Sequence, residues 1–417
     1  MSATTLDRML DGGPAHSPGR RWIETNGWPQ SRDEAWRYAP LGAITAALDA
    51  AEPQVSAGAL EELLADLPEG PRLVIVDGRY DAERSILGDD GGVVVTFDAP
   101  AGEFPADGTD DGFAAANHAA APGVTRVEVT ASTQGATLHL VHLSVDALAS
   151  HPRTELVLAA GSSLQLIETF RSLPHPGLTN SVTTVAVGSG ARVEHLRVLE
   201  TANGSAHVGR TEFTAQRDAT VHSASLSAGP GAARHTVLAA LVAPEAAVSL
   251  SGLSTPVGGA HHDTVVTVRH LSDGGKSRQQ YAAIVPDHAR ASFTGQVVVA
   301  SGTKGTDADQ QNRNLLLGRT ARVDTRPWLQ IDADDVSCTH GATVGRLDED
   351  SLFYLRSRGI PERSARAMLI RAFAETTLDQ EFPPGPGRDW LAASASAAID
   401  AVLEGEVAAA PGGKDSQ

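Results

Sequence analysis

Cysteine is almost absent from this chain, since Cys338 is the only one among 417 residues. A single thiol excludes a disulfide within the chain. It also excludes an all-cysteine zinc site and an iron–sulfur cluster held only by this chain's thiolates, because both need several cysteines. Any cluster bound here must therefore take ligands from another molecule.

Aromatic residues, basic residues and long apolar runs are also scarce. Aromatic residues make up 4% of the chain, so the core must be built from Ala, Val, Leu and Ile. No apolar run reaches the roughly 18 residues of a membrane-spanning helix, and the start MSATTLDRMLDGG lacks the features of a secretory signal. These absences predict a cytoplasmic protein with no membrane partner. The 51 acidic and 33 basic residues give a net charge of −18, which repels phosphate backbones, so we expect no nucleic-acid partner.

The length of the chain predicts two or three structural units. Helical patterns occupy the first part, where Ser31 and Glu34 have the spacing of a capping box and Pro40 interrupts the pattern. Short alternating runs typical of β-strands begin near RLVIVDG and become dense from about residue 124. We predict a helical region at residues 1–70, lead-in strands and a β core at 71–345, a helical region at 346–405 and a disordered tail at 406–417.

A weak repeat runs through the strand-rich part. Small-x-aliphatic units that open strands start 29, 28 and 27 residues apart at Ser162, Ala191, Ala219 and Ala246, and similar units return at Ala289 and Ala321. A period near 28 residues favours stacked strand pairs, as in a β-helix or solenoid, over a β-sandwich with regular turns.

The hydrophobic period changes to that of a helix after residue 346. Gly359 is placed to end a first helix, and Pro361 to start a second one. The apolar stripe of the second helix is predicted to contain Ala365, Met368, Leu369, Ala372 and Phe373. A third helix is predicted around Trp390 and Leu403.

Motifs of common enzyme classes are absent from the sequence. It contains no G-x-x-x-x-G-K-[ST] loop, no H-E-x-x-H and no G-x-S-x-G. The histidines are scattered through predicted strands, where a lone histidine is more often hydrogen-bonded or exposed than a metal ligand. The pair His261 and His262 points to opposite faces of its strand, so we favour a structural role for both.

Cys338 and His340 stand apart from these histidines. On a strand, residues i and i+2 face the same side, so the thiol and the imidazole would lie close together. They would provide half of a tetrahedral metal site, or they would polarise each other. Spacing alone does not separate these interpretations from a buried cysteine beside a structural histidine.

Several segments occur in an order that resembles one family. They are C-T-H-G-A-T-V-G from Cys338, LFYLRSRG, ARAMLIRAF, the upstream HHDTVVTVRH and the N-terminal GWPQSRDEAWRYAPL. Together they resemble the SufB/SufD family of iron–sulfur cluster assembly scaffolds, most closely over residues 260–375. C-x-H-G-A, W-R-Y-A-P and the single cysteine are similar to the SufD type, because SufB-type chains carry E-H-E-A at the matching place.

The resemblance implies a fold and a function. The fold is mainly β, a right-handed parallel β-helix core flanked by helical N- and C-terminal regions. The chain would be a non-catalytic subunit that pairs with SufB through the β-helices and docks the ATPase SufC on its C-terminal helices, with a homodimer possible in isolation. No cofactor would be tightly bound to the chain alone. A transient cluster or iron would be shared with SufB.

The resemblance also assigns residues to these roles. Cys338 and His340 would contribute to iron or cluster binding at the SufB interface. The residues predicted to dock SufC are Arg356, Arg358, Arg363 and Arg366. Two alternatives remain at this point, a SufB-like sister subunit and, in another class, a β-helix carbohydrate-active enzyme.

Overall fold

The computed structural model describes residues 5, 8–10, 13–14, 16–50, 58–86, 88, 91–101, 111–378 and 385–409. Its α-helices lie mostly at the two ends of the chain. They are α1 (Pro18–Asn26), α2 (Leu41–Asp49), α3 (Ala59–Leu64), α4 (Gly112–Ala120), α5 (Glu349–Ser357), α6 (Glu362–Leu378) and α7 (Pro386–Ala409), with a short 3-10 helix at Glu34–Trp36.

Strands fill the middle of the chain. The lead-in strands and those of the first coils are β1 (Arg72–Val76), β2 (Arg79–Ile86), β3 (Val93–Ala99), β4 (Val124–Val129), β5 (Ala136–Ser144), β6 (Ala149–Ser150), β7 (Arg153–Leu158), β8 (Ser163–Ser172), β9 (Gly177–Val187) and β10 (Arg192–Glu200). The remaining strands are β11 (Ser205–Ala215), β12 (Thr220–Gly229), β13 (Ala232–Leu241), β14 (Ala247–Pro256), β15 (His261–His270), β16 (Lys276–Val285), β17 (Arg290–Val299), β18 (Thr306–Leu316), β19 (Arg322–Ile331) and β20 (Val336–Arg346).

The strands form two long sheets whose members alternate along the chain. One sheet has the order β2-β1-β5-β8-β10-β12-β14-β16-β18-β20, and the other has the order β19-β17-β15-β13-β11-β9-β7-β4-β3. From β5 onward every step within a sheet is parallel, for example β8 to β10 to β12. Each coil therefore contributes one strand to each sheet, which is a parallel β-solenoid.

The sequence repeat coincides with this stacking. Leu164, Val193, Val221 and Val248 are direct neighbours across β8, β10, β12 and β14. The two later repeat units open strands of the opposite sheet, where Ala291 pairs with Val323. The mainly β solenoid with helices at both ends is thus confirmed, and the β-sandwich alternative is wrong.

Helices cover the outer faces of both sheets. Apolar side chains of α6 and α7, including Ile370, Leu391 and Ile399, pack on Leu196 and Leu226 of the first sheet. Helices α1, α2 and α4 pack on the second sheet, where Ile44 and Phe113 join a cluster with Leu178 and Val208, whereas α3 packs on β1 and β5 of the first sheet. At the C-terminal end of the solenoid, β19 and β20 are the last strands of the two sheets, and most residues of β20 are exposed.

Three details differ from the sequence-based expectation. Ser31 does not cap a helix, because Asp33 N donates to Gln30 O at 2.9 Å and closes a turn there, and the 3-10 helix begins only at Glu34. Met368 and Ala372 are exposed, because α6 turns Ala365, Ile370, Ala374 and Thr377 to the core instead.

The third detail concerns helix boundaries and number. Helix α4 was not predicted; Asp111 caps it by accepting from the backbone N–H groups of Phe113 and Ala114. Helix α7 extends to Ala409, within the segment predicted as a tail. The rest of that tail, residues 410–417, lies outside the described residues.

Candidate functional site at the end of the solenoid

Strand β20 is the last strand of its sheet. Among the described strands it pairs with β18 alone, and β19 is likewise the last strand of the opposite sheet. Most residues of β20 are exposed, and Val344 remains 48% accessible. An edge strand of this kind offers unpaired backbone N–H and C=O groups to another chain.

Cys338 and His340 both lie on β20, at alternate positions that place them on one face. Cys338 is half-buried against a small apolar cluster that contains Val297, Val299 and Ala308. Burial, followed by the nearby charge of Asp307, raises the pKa of the Cys338 thiol, so the thiol stays protonated near neutral pH. His340 is exposed.

The surface around this end is acidic. Asp332, Asp334 and Asp335 are all exposed in the connection from β19 to β20. On the outer face, Thr339 donates from Oγ1 to Asp309 at 2.5 Å. Negative charge at the rim attracts cations toward the strand that carries the thiol and the imidazole.

The arginines predicted to dock a partner lie on α5 and α6. Arg356, Arg358 and Arg363 are exposed, whereas Arg366 is half-buried. Arg356 is 3.4 Å from Glu362 in an ion pair, and the Arg358 guanidinium lies 4.9 Å from the centroid of the Tyr354 ring.

Exposed apolar residues accompany these arginines and were not predicted. Phe353 is 71% accessible, Tyr354 56% and Met368 50%. A sequence signal for two of them exists in the run Leu352-Phe353-Tyr354. Three consecutive residues of a helix span most of its circumference, so Leu352 cannot turn inward together with both aromatic neighbours.

His261 and His262 both have hydrogen-bond partners. His262 lies between Ser254 Oγ at 3.2 Å and Gly231 O at 3.2 Å, and the His261 ring is 3.1 Å from Ser292 Oγ. The structural role expected for this pair agrees with these contacts. Within the described residues, no three His, Cys, Asp or Glu side chains are grouped as they would be around a metal ion.

A buried ionic cluster was missed by the sequence analysis. Glu168 is fully buried, 3.0 Å from His195 Nε2 and 3.4 Å from His142 Nε2, and Arg197 is 2.7 Å from His207 Nε2. Burial by itself would raise the pKa of Glu168, but the close His142 ring and the hydrogen bond to His195 lower it well below its ordinary value. The alternation Leu164, Leu166, Glu168, Phe170 places Glu168 on the inward face, and this signal was available in the sequence.

Comparison with known proteins decides the family. The family model for the SUF system FeS cluster assembly, SufBD core domain, matches residues 141–373. The chain belongs to the SufB/SufD family. It is 33% identical over 356 residues to the iron–sulfur cluster assembly protein SufD of Escherichia coli (strain K12), an alignment that covers 84% of each chain.

Two further relatives extend this result. An iron–sulfur cluster assembly SufBD family protein of Synechocystis is 29% identical over 378 residues, which cover 84% of this chain and 83% of the relative. The chloroplastic protein ABCI7 of Arabidopsis thaliana is 32% identical over 243 residues, 58% of this chain and 51% of the relative. The SufD-type assignment within the SufB/SufD family is confirmed by the E. coli relative, and the carbohydrate-active alternative gains no support. No described helix has the length and apolar character needed to cross a membrane.

Proposed function

We propose that this chain is a non-catalytic, cytoplasmic SufD-type subunit of an iron–sulfur cluster assembly complex. It pairs with SufB along the open edge of the solenoid, docks SufC on α5 and α6, and contributes side chains to a cluster formed at the SufB interface. The observation that carries the proposal is the edge strand β20, which brings Cys338 and His340 to the exposed end of the solenoid.

The edge itself suits pairing with a second solenoid. The backbone of β20 is unpaired on its outer side among the described strands, and Ile331 and Val344 present exposed apolar surface on the two end strands. Backbone pairing and apolar contact would both be gained on association. The same edge would allow a homodimer when SufB is absent.

Cluster chemistry at this edge needs the partner. One thiol and one imidazole make up half of a tetrahedral site, so SufB would supply the remaining ligands and the chain alone would hold no cofactor tightly. Because the pKa of the Cys338 thiol is raised, we assign the larger contribution to His340, whose neutral ring suits Fe(II).

The test replaces His340 with Ala in the chain co-expressed with SufB and SufC. We expect the complex to purify intact but to contain several-fold less iron and acid-labile sulfide. Thr339→Ala is the matched control, because Thr339 lies on the same strand and points to the other face. A normal cluster content in His340→Ala would contradict the assignment.

For SufC docking, the support is the combination of arginines and exposed apolar residues on two consecutive helices. Apolar centres bordered by arginine are typical of protein interfaces. Phe353 and Met368 would supply the apolar contact and Arg363 and Arg366 the polar one.

The second test reverses charge on these helices. Arg363→Glu combined with Arg366→Glu should abolish retention of SufC in a pull-down while SufB is still retained. Glu24→Arg, on the exposed surface of α1, is the control for a change of charge elsewhere. Full retention of SufC by the double variant would place its docking surface elsewhere.

A further inference from the structure

Parallel stacking arranges the inward-facing residues of successive coils in columns. One column of the first sheet ends at the candidate site. Gln279 of β16 is the direct neighbour of Gln310 of β18, which is the direct neighbour of His340 of β20. One coil earlier the same column holds Leu250. Before Leu250 the column holds Ser223 and His195, and the two amides are the residues that lie immediately before the imidazole.

The two amides are fully buried and only partly satisfied. Gln310 Nε2 donates to Gln279 Oε1 at 2.8 Å, and both residues are 0% accessible. Gln310 Oε1 has no hydrogen-bond partner among the described residues, nor has Gln279 Nε2. A buried acceptor without a partner is costly. The NH2 group of Gln310 donates to the preceding coil, and the amide oxygen remains available to accept a hydrogen bond.

Space for the Gln310 amide is provided by a glycine of the opposite sheet. A Cβ at Gly295 would lie 2.7 Å from Gln310 Cδ and 2.8 Å from Phe293 Cε1. Gly295 lies within β17, and its backbone is not in the left-handed region. The absence of a side chain, rather than backbone conformation, is thus what this position requires.

Cys338 lacks comparable support. Its neighbour in the adjacent column is Ala308, which is fully buried and offers no polar side-chain atom. Of the two candidate residues on β20, only His340 follows a buried polar side chain in its column.

We propose that Gln310 is a positioning residue for His340, with its buried Oε1 accepting a hydrogen bond from one ring N–H. A neutral imidazole carries one N–H donor and one acceptor nitrogen. If the ring N–H points to the interior, the other ring nitrogen is free to face iron outside. Metal-ligating histidines commonly donate a hydrogen bond from their second ring nitrogen to a supporting group in this way. This inference rests on the proposed function, which gives His340 a role in cluster assembly. The hydrogen bond between Gln310 and His340 can be tested on the chain alone.

The experiment measures the tautomer of His340 by NMR of the full chain labelled with 15N-histidine. Spectra are recorded at a pH above the ordinary pKa of histidine, and His340→Ala assigns the signals. In the unchanged chain one ring nitrogen should carry the proton predominantly. Gln310→Met keeps the length of the side chain and removes the acceptor. It should shift the tautomer ratio roughly threefold to tenfold, the effect of one net hydrogen bond.

Two further variants separate positioning from packing. Gln279→Met disturbs the same column but keeps Gln310 Oε1, so the ratio should stay that of the unchanged chain. Gln310→Glu keeps an acceptor oxygen at the same place and should restore the ratio. If Gln310→Met does not fold, Gly295→Ala displaces the amide without removing it and should shift the ratio in the same direction.

The outcomes are distinguishable. An unchanged ratio in Gln310→Met, or an equal shift in Gln279→Met, would overturn the role of Gln310. Normal cluster content in His340→Ala would instead overturn the proposed role of His340 in cluster assembly, whatever the tautomer ratio shows.

Discussion

At the residue scale, Gly252 shows how little room the solenoid interior leaves. A Cβ at this position would lie 2.5 Å from Tyr281 Cε1, 2.6 Å from Tyr281 Cδ1 and 2.8 Å from Ser225 Oγ. Tyr281 is the direct neighbour of Gly252 in the next coil, and its ring occupies the space above the glycine. The glycine is therefore needed for packing against an aromatic ring inside the coil stack.

We predict that Gly252→Ala lowers the free energy of unfolding by about 1–3 kcal/mol, the usual cost of overpacking a core. Gly345→Ala is the matched control, because Gly345 also lies in a strand and has no atom within 4 Å of an added Cβ. Urea denaturation of both variants checks the prediction. Equal midpoints for the two variants would contradict it.

At the scale of elements, two sets of polar contacts hold α4 and the 3-10 segment on the second sheet. Asn117 of α4 donates to Pro152 O at 3.0 Å and Asn180 O at 2.8 Å, and Asn180 donates back to Phe113 O at 2.8 Å. Because these backbone carbonyls are buried, the amides both satisfy them and fix the orientation of α4 on the solenoid.

The second set includes a buried ion pair between β13 and β15. Arg234 bonds to Asp263, donates to Ala35 O at 2.9 Å, and lies 3.9 Å from the centroid of the Trp36 ring. Ser292 on β17 bonds to Asp263 Oδ1 at 2.6 Å and to the backbone oxygen of Tyr38. The 3-10 segment is thereby tied to three successive strands of the sheet.

We expect Asp263→Ala to destabilise the protein by about 3–5 kcal/mol, because it leaves the buried Arg234 guanidinium without its counter-charge. The N-terminal segment should also become more sensitive to trypsin. Glu61→Ala, which removes an exposed ion pair with Arg84, should leave the urea midpoint unchanged. Similar trypsin digestion of the Asp263 variant and the unchanged chain would show that the pair does not hold this segment.

At the scale of the whole molecule, burial in the solenoid holds several titratable groups in the protonation states that they have near neutral pH, down to a much lower pH than in the unfolded chain. Burial lowers the pKa of His139, His151 and His262 to about 4, and burial lowers that of His207 and His235 well below its ordinary value. Glu168 is held ionised by its close contacts with two histidines. Protonation of these buried groups favours the unfolded chain.

Stability should therefore fall as the pH decreases. The unfolded chain binds protons at histidine below about pH 6.5, whereas the folded chain binds them only near pH 4, so the free energy of unfolding falls across this window. His261 and His270 also have a pKa lowered to about 4 by burial, and each of these five histidines should cost about 1 kcal/mol between pH 7.5 and pH 5.8. Below about pH 4.5 the loss of the Glu168 contribution adds to this effect.

Urea midpoints at about pH 7.5, 6.5 and 5.8 check this prediction while staying above the isoelectric point of about 5.2. A midpoint that is constant over this range would mean that the buried histidines are protonated without loss of the fold.

Local sequence patterns are sufficient to predict the architecture and the chemical candidates. The 28-residue spacing of small-x-aliphatic units specified stacked coils, because each unit opens a strand that must pair with its copy one coil away. A single cysteine, Cys338, excluded a self-contained cluster site. The i, i+2 spacing of Cys338 and His340 put them on one face of a strand, since side chains alternate along extended backbone.

The packing of distant segments determines which side chains meet. Gln310 and His340 are neighbours because of the register between β18 and β20, and the sequence spacing specified that register only approximately. The Glu168 cluster joins residues of different coils for the same reason. Phe353 and Met368 are exposed because α5 and α6 pack against the protein through other residues. The broad apolar pattern of these helices did not specify which face would be buried. Local pattern is a property of the chain, whereas register and helix facing depend on contacts between distant segments.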